Sequence, residues 1–220
     1  MITDQILEKC PQLKVEPEVT NPAYSMITSG GVEIEVGEWI YALVRMIKPT
    51  VVLETGTYHG LSASYIALAL KANGKGKMST IDPLIYENRA QQTWEQLGIT
   101  DTIDFKCMRS LDYTPDAPID FLFLDSEPQF RFHEFARFFE FVSPGGIILI
   151  HDLHPSFSFN DKTEIAGMFH WPYGDFRPTV GTYLKDYRVQ SVSFPSPRGL
   201  TMFQKCQDTF SSTRFLRNEI

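Results

Sequence analysis

Apolar positions along this chain keep two different periods and switch between them. Over residues 36–47, the stretch VGEWIYALVRMI sets Trp39, Ile40, Leu43, Val44 and Ile47 at helical spacing, and Lys48 and Pro49 stop the pattern. Beyond it, short β-like runs alternate with helical ones. The runs are TVVLET, KMSTID, TIDFKC, IDFLFLD and GGIILIHD, and the spacing predicts helices over about residues 61–72, 87–97 and 130–142. FLFL and IILI are continuously apolar, which suits central parallel strands buried on both faces. The alternation implies βαβ crossovers, hence an α/β protein built on a doubly wound sheet.

The two ends and one internal stretch break this rhythm. Residues 1–32 join a short amphipathic piece around Ile6 and Leu7 to a segment punctuated by proline and glycine, and read as an N-terminal arm or lid. A single domain is expected over 33–206, with an irregular insertion at about 153–179, and 207–220 read as a polar tail. Long irregular insertions in compact domains usually serve function. This one holds only a weak helical piece at 164–169, and its aromatics, Phe157, Phe159, Phe169, Trp171, Tyr173 and Phe176, fit either a lid over a dry acceptor pocket or a contact between two copies of the chain. A helix at 180–187 is followed by RVQSVSF and LTMFQK, two closing strands joined by the turn PSPRG.

Composition narrows the function. With 43% hydrophobic and 21% charged residues among 220, the chain has ordinary globular usage and enough length for a substantial core. Its net charge of −7 argues against a general nucleic-acid binder, which needs clustered Lys and Arg to neutralise phosphates. Cys10, Cys107 and Cys206 are far apart and form no Cys-x-x-Cys pair, so they read as reduced thiols in a cytosol. The N-terminus carries acids early and has no apolar signal region, and no apolar run reaches membrane-spanning length. A soluble, cytoplasmic protein with a small ligand is the expectation.

The strand-to-helix turn ETGTYHG is the first candidate for holding that ligand. Gly56 is free to take a conformation closed to other residues, and Gly60 lets the next helix begin close to a ligand whose anionic end meets free N–H groups. No Gly-Lys-Ser/Thr follows, and the three-glycine dinucleotide spacing is absent. Glu54, just before the glycine, would repel a pyrophosphate but welcome an ammonium. Asp82 ends the next strand, where a carboxylate accepts hydrogen bonds from ribose hydroxyls. A ligand with an amino-acid end and a ribose is S-adenosylmethionine; the blander reading makes the glycines turn residues and Asp82 a helix cap.

The chain resembles the class I S-adenosylmethionine-dependent methyltransferases, and is most similar to the small O-methyltransferases of the catechol and caffeoyl-CoA type. The resemblance covers about residues 36–152, on LETGTYHGLS, MSTID, LGITDTIDFKC, DFLFLDSEP and PGGIILIHD in the family's order. It implies a seven-stranded, mostly parallel Rossmann-like sheet with helices on both faces and an antiparallel last strand. It also implies that Glu54, Gly56, Thr57, Tyr58, Gly60 and Ser62 surround the methionine part of the cofactor and that Asp82 holds the ribose. Ser110 would lie near the adenine, beside Met108 in place of the family's glycine, and Asp125 beside the sulfonium.

The same resemblance puts a divalent metal, Mg or Mn, on Asp125, His151 and Asp152, where it would lower the acceptor hydroxyl's pKa. The chain departs from the pattern there. His151 and Asp152 stand for an aspartate and an asparagine, and Glu127 and Pro128 replace an acid and the usual lysine base. The HD ending is similar to that of related sugar and natural-product methyltransferases, in which setting His151 or His154 would serve as general base and Asp125 would stand beside it. His59 is expected to face solvent, and His133 the outside of a helix whose phenylalanines fill the core. The implied function is O-methyl transfer to a small-molecule acceptor, the alternative being a non-methylating or scaffold relative of the same fold; no nucleic-acid or membrane partner is expected.

Overall fold

In the computed structural model, residues 1–18, 21–27, 31–86, 88–153, 188–194, 196 and 198–206 are described. The chain enters through α1 (Ile2–Lys9), which buries Ile2 and Ile6, and a two-residue antiparallel pair, β1 (Glu16–Pro17) and β2 (Ser25–Met26). Next, α2 (Ile34–Ile47) buries Ile40, Leu43 and Val44, the stripe its spacing dictates, and stops at Lys48, whose left-handed backbone precedes Pro49. Strand and helix then alternate: β3 (Val51–Thr55), α3 (Leu61–Asn73), β4 (Lys77–Asp82), α4 (Arg89–Leu97) and β5 (Ile103–Cys107). The second half holds β6 (Ile119–Leu124), α5 (Arg131–Phe139), β7 (Val142–His151), and the closing pair β8 (Val189–Phe194) and β9 (Leu200–Lys205).

Seven of these strands form one sheet in the order β5-β4-β3-β6-β7-β9-β8. Neighbours are parallel except at β9, which runs antiparallel to both β7 and β8. Period-two geometry sorts the strand side chains onto two faces. Val52, Phe121, Phe123, Ile147 and Leu149 pack with α1, α2, α3 and α4 in one core cluster. Their neighbours Leu53, Leu122, Leu124, Ile148 and Ile150 pack with Phe135, Phe138 and Phe139 of α5 in the other. Strand order reverses between β3 and β6, so the carboxyl ends of β4, β3, β6 and β7 surround the crevice where ligands of such sheets bind.

The expected doubly wound seven-stranded sheet is present, antiparallel strand included, with three boundary changes. The helix expected over 130–142 ends at Phe139, because the Phe141 carbonyl accepts the Ile119 N–H and Val142 pairs in register with Ile119. Strand β7 therefore begins at Val142 rather than at Gly145. The other two helices extend to Asn73 and open at Arg89. The insertion beyond Leu153, the helix expected at 180–187 and the tail 207–220 lie outside the described residues. Among the described residues no helix is long and apolar enough to cross a membrane, and all three cysteines are free.

Candidate active site

Two turns meet at the switch in strand order, and backbone geometry fixes how closely. Gly56 has a φ of 86° and donates its N–H to the Ile81 carbonyl at 2.9 Å. A Cβ there would lie 2.3 Å from the Asp125 carbonyl oxygen, so the chain after β3 crosses the chain after β6 with room for glycine alone. Tyr58 is also left-handed, at a φ of 46°, a strained state for a bulky residue and one that gathers at functional sites. The Tyr58 N–H donates to Asp82 Oδ2 at 2.9 Å, and the Leu84 N–H donates to Asp82 Oδ1 at 2.9 Å. Each oxygen of Asp82 is thus oriented by one backbone donor and keeps lone pairs for a ligand.

These turns rim a cavity of about 640 Å³. Of the residues the sequence assigns to a cofactor, Gly56, Tyr58, Asp82, Ser110 and Asp125 line it. Glu54, Thr57, Gly60 and Ser62 are absent from that lining, and three of them form a buried polar layer. Glu54 is fully buried; its Oε2 accepts from Thr80 at 2.5 Å, and Thr80 in turn hydrogen-bonds Thr57 at 2.7 Å. Burial pushes Glu54 up to about 8, against hydrogen bonds from Thr80 and Ser62 that favour its charged form. Its Oε1 is buried without a partner. His59, expected to face solvent, is half-buried and stacks on Tyr58 with ring centroids 3.8 Å apart, whereas His133 is exposed as expected.

Asp125, His151 and Asp152 come together at the ends of the adjacent strands β6 and β7, with ligating atoms within 4.8 Å of one another. They are not alone. His151 is fully buried, with Nδ1 3.0 Å from Asp125 Oδ1 and Nε2 2.8 Å from Glu33 Oε2. Both ring nitrogens face carboxylates, an arrangement that favours the protonated ring. Burial opposes that charge, but Asp152, Asp125 and Glu33 outweigh it and raise His151 to about 10. The same contacts, with Arg198 and against the penalty of burial, hold Glu33 down at about 2. A ring protonated on both sides has no lone pair with which to act as base. His154, the other candidate base, lies outside the described residues.

Four residues at this centre escape a reading of sequence alone: Glu33, Arg131, Glu134 and Arg198. Glu33 immediately precedes α2, and Arg198 comes from the turn between β8 and β9, 3.5 Å from Asp152 Oδ1. Arg131 and Glu134 share the buried face of α5 with Phe135 and Phe138, at positions i, i+3, i+4 and i+7. That face is where charge is least expected, and the two charges there are the signal that was legible. Glu134 is fully buried and accepts from Thr55 at 2.9 Å, from Ser126 at 2.7 Å and from Ser110. Burial raises its pKa, which those hydroxyls partly offset.

Sheet order, the antiparallel β9 and the glycine turn at the switch point are those of a Rossmann-like doubly wound fold. Residues 53–153 match the family model described as "Methyltransferase domain". Tapetum-specific methyltransferase 1 of Arabidopsis thaliana is 27% identical over 142 residues, 62% of this chain and 60% of that protein. The chain spans 57 to 60% of the length of the curated relatives it matches. Among solved structures, the O-methyltransferase of Bacillus cereus in complex with SAH is similar at a TM-score of 0.68 and 18% identity, with 92% of this chain and 89% of that one covered. The SAM complex of TomG, an O-methyltransferase of tomaymycin synthesis from Streptomyces achromogenes, is similar at 0.67 and 19%, covering 82% and 83%.

The residues present fit S-adenosylmethionine: Asp82, in the cavity wall, has oriented oxygens with lone pairs to spare. They do not fit a divalent ion at Asp125, His151 and Asp152. Both nitrogens of His151 are already engaged by carboxylates, and the guanidinium of Arg131 already sits against Asp125 and Asp152.

Proposed function

We propose that this protein transfers a methyl group from S-adenosylmethionine to a hydroxyl of a small-molecule acceptor in the cytosol. The observation that carries the reading is Asp82, held by two backbone N–H groups at the mouth of the cavity beside the glycine crossing. When bound, the cofactor supplies an electrophilic methyl carbon on a sulfonium. The chain's own task is to hold an acceptor oxygen in line with that carbon, and such positioning alone removes much of a displacement barrier. Asp82 would fix the ribose, and Ser110 the adenine side.

The acceptor would enter beside Asp125, Asp152 and Arg198, which line the same cavity. The buried Glu33–His151–Asp125 chain holds Asp125 in place. With both nitrogens of His151 engaged by carboxylates, His154 is the other candidate base for the proton of the acceptor hydroxyl.

The reading is tested by incubating the purified chain with methyl-labelled S-adenosylmethionine and a panel of phenols, hydroxy acids and sugars, with products resolved by mass spectrometry. Label in an O-methyl product that disappears with Asp82→Ala is expected. Cofactor binding without label transfer to any hydroxyl would defeat it.

A further inference from the structure

The cluster at the ends of β6 and β7 contains its own cation. Arg131 is 4% exposed, and its planar fork is almost fully used. Nε donates to the Ser126 carbonyl at 2.6 Å, and Nη1 to the His151 carbonyl at 2.5 Å. Nη1 also lies 2.9 Å from Asp152 Oδ2, and Nη2 3.2 Å from Asp125 Oδ1. One guanidinium thus bridges the two carboxylates that end adjacent strands. Arg198 stands on the other side, with Nε 3.5 Å from Asp152 and 3.4 Å from Glu33, and hydrogen-bonds the Gly31 carbonyl.

Opposite charges meet within this cluster, although Asp152 Oδ1 is buried without a hydrogen-bond partner. Glu33, Asp125 and Asp152 face the guanidinium groups of Arg131 and Arg198, and the His151 ring lies between Glu33 and Asp125. A divalent ion between Asp125 and Asp152 would have to displace the guanidinium of Arg131 from both carboxylates or share the site with its charge. Its desolvation would not be repaid. We propose that the reaction centre works without a divalent metal, with the Arg131 guanidinium as the built-in cation that holds Asp125 and Asp152 together across the ends of β6 and β7. Arg131 is a positioning residue: it acts through the two carboxylates it bridges.

This inference rests on the methyltransferase reading for its meaning, but its test does not need turnover. The full chain, purified without chelator, is assayed for bound metals by elemental mass spectrometry, then titrated with Mn(II) by electron paramagnetic resonance and melted with and without Mn(II) or EDTA. Well under one equivalent of metal, a titration matching free Mn(II), and an unmoved melting temperature are expected. Arg131→Met uncovers two carboxylates and is expected to gain Mn(II) affinity of roughly tenfold or more, because a repelling charge has left contact distance. Arg131→Lys keeps a charge and is expected to stay closed to the ion, which guards against a Met variant that does not fold. A stoichiometric ion in the wild type, a rise in its melting temperature with Mn(II), or a folded Arg131→Met that still rejects Mn(II) would overturn the proposal. Binding of S-adenosylhomocysteine, measured by calorimetry on the same samples, reports separately on the cofactor reading.

Discussion

Replacing His151 by leucine is expected to cost roughly 3–5 kcal/mol of stability, the range for breaking one partner out of a buried ionic group. The substitution fills similar space but leaves Glu33, fully buried, and Asp125 facing an apolar side chain. For a chain of 220 residues this is a fall in melting temperature of roughly 6–20 °C. The effect should be coupled. Adding Glu33→Leu removes the carboxylate stranded by the first change, so the double variant should lose less than the sum of the two single losses. Denaturant titration of the four proteins measures this. A His151→Leu variant within about 1 kcal/mol of wild type, or strict additivity with Glu33→Leu, would show that the network contributes little.

The second large effect is a pH slope carried by Glu54. Burial raises this carboxyl to about 8 in the folded chain, from an ordinary value of 4.5. Between those limits the folded chain keeps a proton that the unfolded chain has released. The stability this group contributes is therefore complete below the unfolded pKa and is lost as pH rises through the folded one, by up to about 1.4 kcal/mol per unit. Glu54→Gln places a permanently neutral amide in the same polar layer with Thr80 and Ser62. Its melting temperature should fall less between pH 5 and 8 than that of wild type, and parallel slopes would refute the assignment.

The fold was legible because its signals are local. Continuous apolar strands, helical stripes and the glycine turn are each written within about a dozen residues, and periodicity ties each to a face of the sheet. The helix expected to run to Val142 shows where local reading fails: Val142 is apolar enough for either element, and pairing with Ile119 decides it. At the site, the sequence brought out Gly56, Asp82, Ser110 and Asp125, all of which line the cavity. The partners of His151 were not legible, because Glu33 lies 118 residues away and Arg198 sits in what reads as an ordinary turn. The two charges on the apolar face of α5 were the exception. Arg131 and Glu134 occupy positions where a phenylalanine would satisfy the pattern, and such positions deserve suspicion in any helix packed near the ends of strands.

The account turns on whether the cavity beside Asp82 holds the cofactor, and calorimetric titration of S-adenosylhomocysteine into the wild-type chain and into Asp82→Ala asks this directly. Saturable binding with one site per chain is expected, weakened roughly 10- to 100-fold by the substitution, as loss of a hydrogen bond to a charged group predicts. A folded wild-type chain that binds nothing, or an Asp82→Ala variant whose affinity stays within about twofold, would contradict it.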